Sequence, residues 1–175
     1  MLSILQFLVD TAASLLGGLL LLRFWMQAIR VRPPQQIGQF TFALTDWLVL
    51  PLRRLVPGMG GYDWASLIGA FVVVLLASSL LLVAGASGEM VLVHALYRFL
   101  TWILYGFMAL LIIDAIFSWV NPHAPLAPFV HALNMPILRP IRRVVPPVGG
   151  IDLSVLVALV LIQILQFVLR QVFYV

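Results

Sequence analysis

Two stretches of the chain, 89 residues apart, carry nearly the same chemistry-bearing residues: PLRRLVPGMGGYD at 51–63 and PIRRVVPPVGGID at 140–152. Eight of the thirteen positions are identical, and two more exchange one aliphatic residue for another. Near the start of each stands an arginine pair, Arg53-Arg54 and Arg142-Arg143, with Arg139 just ahead of the second. Flanking prolines fix the backbone direction there. A guanidinium can grip phosphate oxygens bidentately, and each basic residue near an anionic membrane surface contributes about 1 kcal/mol. These five arginines are therefore candidates for contact with anionic lipid headgroups or a protein partner. The same residues also suit a purely topogenic role, anchoring the spans at a membrane surface. Each stretch closes on Gly-Gly-x-Asp: Gly60, Gly61 and Asp63, then Gly149, Gly150 and Asp152. Aspartate is a favoured helix N-cap, and paired glycines allow a positive-φ turn. Alternatively, the two acids accept from the arginines or share a cation. Two carboxylates without a third ligand make a poor metal site, so no metal is expected.

Other polar candidates lie within apolar runs, where ionisable groups point to function by default. Arg23 and Asp114 fall at similar depth in two such runs, close enough in register to meet as an interhelical salt bridge. Snorkelling of both groups, or a transport site, are the other readings. Gln163 and Gln166 are expected to hydrogen-bond across helices. Conventional catalysis finds no foothold. Cysteine is absent, and His94, His123 and His131 show no metalloprotease spacing. Neither a nucleophile elbow nor a Gly-rich phosphate loop occurs. No enzyme activity and no cofactor is expected.

The elements that must position these residues follow from composition. Of 175 residues, 63% are apolar and 9% charged, and the mean hydropathy is +1.14. A soluble domain has roughly 25% charged residues. Six acids and ten basic residues, all arginine, cannot coat a water-exposed surface. The bilayer is the natural solvent, and direct nucleic-acid binding is not expected. Four runs approach the roughly 20 apolar residues of a transmembrane helix, at about 11–29, 65–84, 99–119 and 153–173. The first has an apolar lead-in at 2–9, lacks a signal-peptide pattern and reads as a retained span. An amphipathic stretch, Met90 to Arg98, precedes the third. Small-residue ridges such as Ala13-x-x-x-Gly17, Ser14-x-x-x-Gly18, Ala65-x-x-x-Gly69 and Ser154-x-x-x-Ala158 suit close helix packing, within the bundle or between copies.

The offset of 89 also pairs Pro33 with Pro122, Phe40 with Phe129 and Ala43 with Ala132. The expected organisation is thus all-α, two tandem parallel span–loop–span repeats at 1–86 and 90–175. Both long loops then emerge on one side. Seven arginines lie in those loops against Arg98 and Arg170 toward the other face. The positive-inside rule places the loops in the cytoplasm and both termini outside. Within the loops, FTFALTDWLVLPL and FVHALNMPILRPI are too short to cross the bilayer. They read as interfacial amphipathic helices or as shallow re-entrant dips. Pro51, Pro136 and Pro140 are expected to break any long helix there.

Leu22-Arg23-Phe24-Trp25-Met26-Gln27, Ser118-Trp119-Val120 and the twin P-[LI]-R-R-[LV]-V-P-x-x-G-G-x-D motifs together resemble the YggT family, also called YlmG. The resemblance spans both halves. It implies a small bacterial inner-membrane protein with two repeats and no defined catalytic residues. It further implies links to osmotic tolerance and ion handling, to cell-division gene clusters and, in plastids, to nucleoid distribution and cytochrome maturation. The expectation is a non-enzymatic scaffold or assembly factor, open to homo-oligomerisation or other membrane partners. An oligomeric ion or osmolyte conduit is the alternative.

Overall fold

The computed structural model describes residues 2–145 and 152–174, and these are all-helical apart from turns. Helix α1 spans Leu2–Ala28, α2 Gln35–Leu55 and α3 Trp64–Ser78. The single turn α4, Leu80–Val83, follows. Then come α5, Gly88–Val120, α6, Ala127–Val144, and α7, Ser154–Tyr174. Four helical stretches are long and apolar enough to cross a membrane: Ile4–Ala28, Trp64–Val83, Gly88–Val120 and Ser154–Phe173. Large apolar side chains such as Leu15, Leu76, Ile116, Leu156 and Phe167 are exposed on them. With lipid as solvent such exposure costs nothing, and the arrangement is that of a multi-pass membrane protein.

The spans differ from the sequence reading at their ends. The lead-in at 2–9 belongs to α1 itself. Met90 to Arg98 is not a separate amphipathic stretch but the opening turns of a 33-residue helix. Ser87 caps it by accepting from the Met90 N–H at 3.2 Å, and Glu89 in the first turn complements the helix dipole. At 1.5 Å per residue α5 is about 50 Å long, so it tilts or projects beyond a hydrocarbon core of about 30 Å. The second span is interrupted at Ser79, whose hydroxyl donates to the Leu76 carbonyl.

Both loop segments are helices, and their prolines do not break them. Pro51 lies inside α2, and Pro136 and Pro140 lie inside α6. All three are exposed. Each carbonyl that loses its i→i−4 bond therefore faces outward, where water or headgroups can satisfy it. The buried face of α2 repeats at helical spacing through Gly38, Thr41, Thr45 and Val49, and that of α6 through Val130, Leu133, Asn134 and Leu138.

Small residues set how closely these pieces approach. One core gathers Leu20 of α1, Val49 of α2, and Ala65 and Ala70 of α3. Gly69 lets Leu20, Leu48 and Leu52 close over α3. A second core gathers Leu104 and Leu111 of α5, Leu138 of α6, and Ala158 and Ile162 of α7. Between the two cores, Trp102 lies directly on Gly17. Trp25 stands edge-on to Phe107, and its indole donates to the Leu133 carbonyl at 3.0 Å.

Candidate functional site

The turn after α1 sets the site's first wall. The Arg30 N–H bonds Gln27 O and the Val31 N–H bonds Met26 O, with Arg30 at φ 58°. This left-handed closure, unusual for a side chain other than glycine, redirects the backbone through Arg32-Pro33-Pro34 into α2. The return from α2 to α3 uses Gly60 and Gly61 at φ 68° and 81°, the conformation the paired glycines foretold.

These turns bring α2 back across the ends of α1 and α3 and close a charged cluster. Arg23 is 5% exposed, and its Nη1 donates to Thr45 Oγ1 at 2.7 Å and Asp46 Oδ1 at 2.6 Å. Its guanidinium carbon lies 4.9 Å from the centre of the Phe42 ring. Asp63, 2% exposed, stands 3.5 Å from Arg23 Nε. Arg53 grips Asp63 through both carboxylate oxygens, Nε to Oδ1 at 3.2 Å and Nη2 to Oδ2 at 2.6 Å. The Ser66 hydroxyl donates to Oδ2 at 2.6 Å. Burial pushes the Asp63 carboxyl upward, but the bonds from Arg53 and Ser66 and the nearby guanidinium charges outweigh it and hold it below the usual carboxylate value. The Asp63 hydrogen bond in turn raises Arg53, against the cost of partial burial.

Asp63 occupies the N-cap position of α3 but makes no cap bond to the helix backbone. Its oxygens are taken by arginine and serine instead, which corrects the cap reading in mechanism and favours the arginine-acceptor alternative. Ten residues separate Arg142 from Asp152 as they separate Arg53 from Asp63, and they too pair: Arg142 Nε to Oδ2 at 2.9 Å, Nη2 to the same oxygen at 2.8 Å. Asp152 does cap its helix, accepting from the Ser154 backbone N–H at 2.9 Å and from the Ser154 hydroxyl. Burial raises its carboxyl less than the bonds from Ser154 and Arg142 lower it, so it also lies below the ordinary value. Gly149 and Gly150 lie outside the described residues.

The expected Arg23–Asp114 bridge is not formed. Arg23 is taken by α2, whose Thr45 and Asp46 lie against the end of α1. Asp114 meets α6 instead, with Oδ2 3.3 Å from His131 Nδ1. Each loop helix supplies the partner for the buried charge on its own neighbouring span. Next to that contact Asn134 donates to the Leu110 carbonyl at 2.8 Å. The glutamines also depart from expectation: Gln163 is exposed, and Gln166 Nε2 is buried with no hydrogen-bond partner among the described residues.

Arg54, Arg139 and Arg143 are exposed; Arg53 and Arg142, whose side chains keep 41% and 35% exposure, are each held by an acid. At the other end of the bundle Arg98 pairs with Asp10 at 2.6 Å and lies over Trp102. Asp10, Phe42, Thr45, Asp46 and His131 escape a reading of spans and motifs. The only advance sign of Asp46 was an acid within an otherwise apolar loop segment. Among the described residues no group of three or more His, Cys, Asp or Glu gathers around a point.

The sequence model of the CCB3/YggT family matches residues 2–84 and again 93–173. The chain belongs to the CCB3/YggT family. It is 31% identical over 176 residues to the uncharacterized protein YggT of Escherichia coli (strain K12), covering 96% of this chain and 90% of that one. An uncharacterized protein in the proC 3′ region of Vibrio alginolyticus is 31% identical over 181 residues, covering 96% and 94%. An uncharacterized protein of Pseudomonas aeruginosa is 33% identical over 167 residues, covering 91% and 85%. No solved structure matches the chain.

Proposed function

We propose that the chain is a non-enzymatic scaffold of the bacterial inner membrane. In this reading it is built of two tandem copies of one span–loop–span unit. Helices α2 and α6 lie at the cytoplasmic interface, and both termini lie outside. The observation that carries the reading is the division of labour among the loop arginines. Arg53 and Arg142 brace each loop helix to the start of the following span through Asp63 and Asp152. The braces leave Arg54, Arg139 and Arg143 exposed, available to anionic headgroups or to an acidic partner. Apolar Phe40, Trp47 and Leu50 are exposed on the same loop helix that carries Arg54, as an interfacial helix requires. The twofold match of the family supports the tandem arrangement.

Crosslinking in cells from position 59, in the loop between α2 and α3, tests the scaffold. Discrete adducts that vanish in the triple variant Arg54→Gln, Arg139→Gln, Arg143→Gln are expected. Adducts indistinguishable from those of an unrelated span, with the triple variant unchanged, overturn it.

A further inference from the structure

A cleft of about 390 Å³ opens between the loop end of α1 and α2. Its walls include Arg23, Gln27, Arg32, Phe42, Asp46 and Arg53. Three guanidiniums thus line a space that holds one carboxylate, and even counting Asp63 behind Arg53 the cations are in excess. Arg23 is 95% withdrawn from solvent, and its Nε faces Asp63 Oδ2 at 3.5 Å without completing a hydrogen bond among the described residues. Arg32 is exposed, and the side chain of Arg53 remains 41% exposed although Asp63 holds it.

Bracing does not account for this set. The brace exists in both halves, as Arg53–Asp63 and Arg142–Asp152. Positions 89 residues beyond Arg23, Arg32 and Asp46 hold Ile112, Asn121 and Met135. The extra charges are therefore present once per chain, at a cleft; Arg23 and Asp46 tie α1 to α2, and Arg32 is the cation left over. An anion suits the excess. Arginine forks match the oxygens of phosphate in particular, and a monoester carries close to two negative charges at neutral pH. The volume is in the range of small-ligand sites. Phe42, at the rim and exposed, offers an apolar surface to whatever bears the phosphate.

We propose that this cleft binds one phosphate group per chain, held by Arg32 and Arg53 with Arg23 behind them. The phosphate belongs to a lipid headgroup or to a small soluble phosphate. The site rests on the loop-arginine reading above and narrows it to one place.

The test uses the full chain in phosphatidylcholine nanodiscs containing phosphatidic acid, with bound lipid counted by native mass spectrometry. A parallel calorimetric titration in neutral detergent uses inorganic phosphate. One saturable phosphatidic acid per chain is expected. Arg32→Gln, an exposed change that leaves the core intact, weakens it about tenfold, and Arg170→Gln leaves it unaltered. A lipid signal that excess inorganic phosphate does not displace assigns the headgroup. Heat from inorganic phosphate that Arg32→Gln abolishes assigns a soluble phosphate. Saturable binding lost in the Arg54, Arg139, Arg143 triple variant but kept in Arg32→Gln overturns the cleft and leaves the loop reading standing. No preference for phosphatidic acid over phosphatidylcholine, and no heat from inorganic phosphate, overturns both.

Discussion

Replacing Asp63 by Asn should cost far more than the matching change at Asp152. Asp63 is 2% exposed and accepts from Arg53 twice and from Ser66 once. Breaking a buried ion pair by removing one member costs about 3–5 kcal/mol. Arg53 is 41% exposed and can recover hydration, while Arg23 keeps Asp46, which brings the expected loss to about 2–3 kcal/mol. The Arg142–Asp152 pair is 35% and 42% exposed and belongs with surface pairs, worth about 0.5–1 kcal/mol. For a chain of 175 residues each kcal/mol moves the midpoint by about 2–4 °C. Asp63→Asn should therefore lower Tm by about 4–12 °C and Asp152→Asn by about 1–4 °C. The chain's tryptophans, Trp64 next to Asp63 among them, allow the transition to be followed by intrinsic fluorescence in a fixed detergent. Equal shifts, or a larger one at Asp152, would refute the assignment of unequal burial. In a double-mutant cycle, Arg53→Gln should add little once Asp63 is Asn. Full additivity would show that the two residues do not act as a pair.

Acid should reveal the same pair: the Asp63 carboxyl is lowered on folding, so its contribution is complete above the ordinary aspartate value near 3.8 and is lost as pH falls below it. Tm measured from pH 6 down to about pH 3 should fall less steeply in Asp63→Asn than in the parent, and an identical slope would count against it. Gly17→Ala would drive a Cβ into the Trp102 ring and should destabilise by about 1–3 kcal/mol, whereas Gly18→Ala meets nothing within 4 Å and should be neutral or slightly stabilising by Tm. Trp25→Phe keeps the edge contact with Phe107 but loses the bond to Leu133, a loss of about 1 kcal/mol readable in the same assay. Reporter fusions near Met59 should register the cytoplasm and those at the C-terminal end the outside; the reverse pattern rejects the proposed orientation.

Length and hydropathy made the four spans legible, because a membrane helix needs only a long apolar run and satisfies its own backbone. The ends were less so. Met90 to Arg98 looked like a separate element because its charges are compatible either with an interfacial segment or with a helix that outlasts the bilayer, and hydropathy does not separate these. The twin motif located Arg53, Asp63, Arg142 and Asp152, yet their pairing depends on how sharply Gly60-Gly61 turns and on a helix passing through Pro51. The Arg23–Asp114 expectation failed for a related reason. Depth along the span was readable for both residues, but partner choice was decided by where α2 and α6 fold back, and no periodicity within a span reports that. Asp46 and His131 lay in segments that could equally have been surface helices with no inward contacts.

The braces also separate two moments in the life of an arginine. During insertion Arg53 and Arg142 are unpaired charges on an extended chain, and in the proposed orientation they count fully toward retaining the loops in the cytoplasm, since acids weigh little in that decision. Once α3 and α7 are seated, Asp63 and Asp152 neutralise them. The loop face of the finished protein is thus less positive than the face the insertion machinery reads. The arginines that direct assembly are in part consumed by it, and what is left to meet a ligand is the unpaired remainder together with the open side of Arg53.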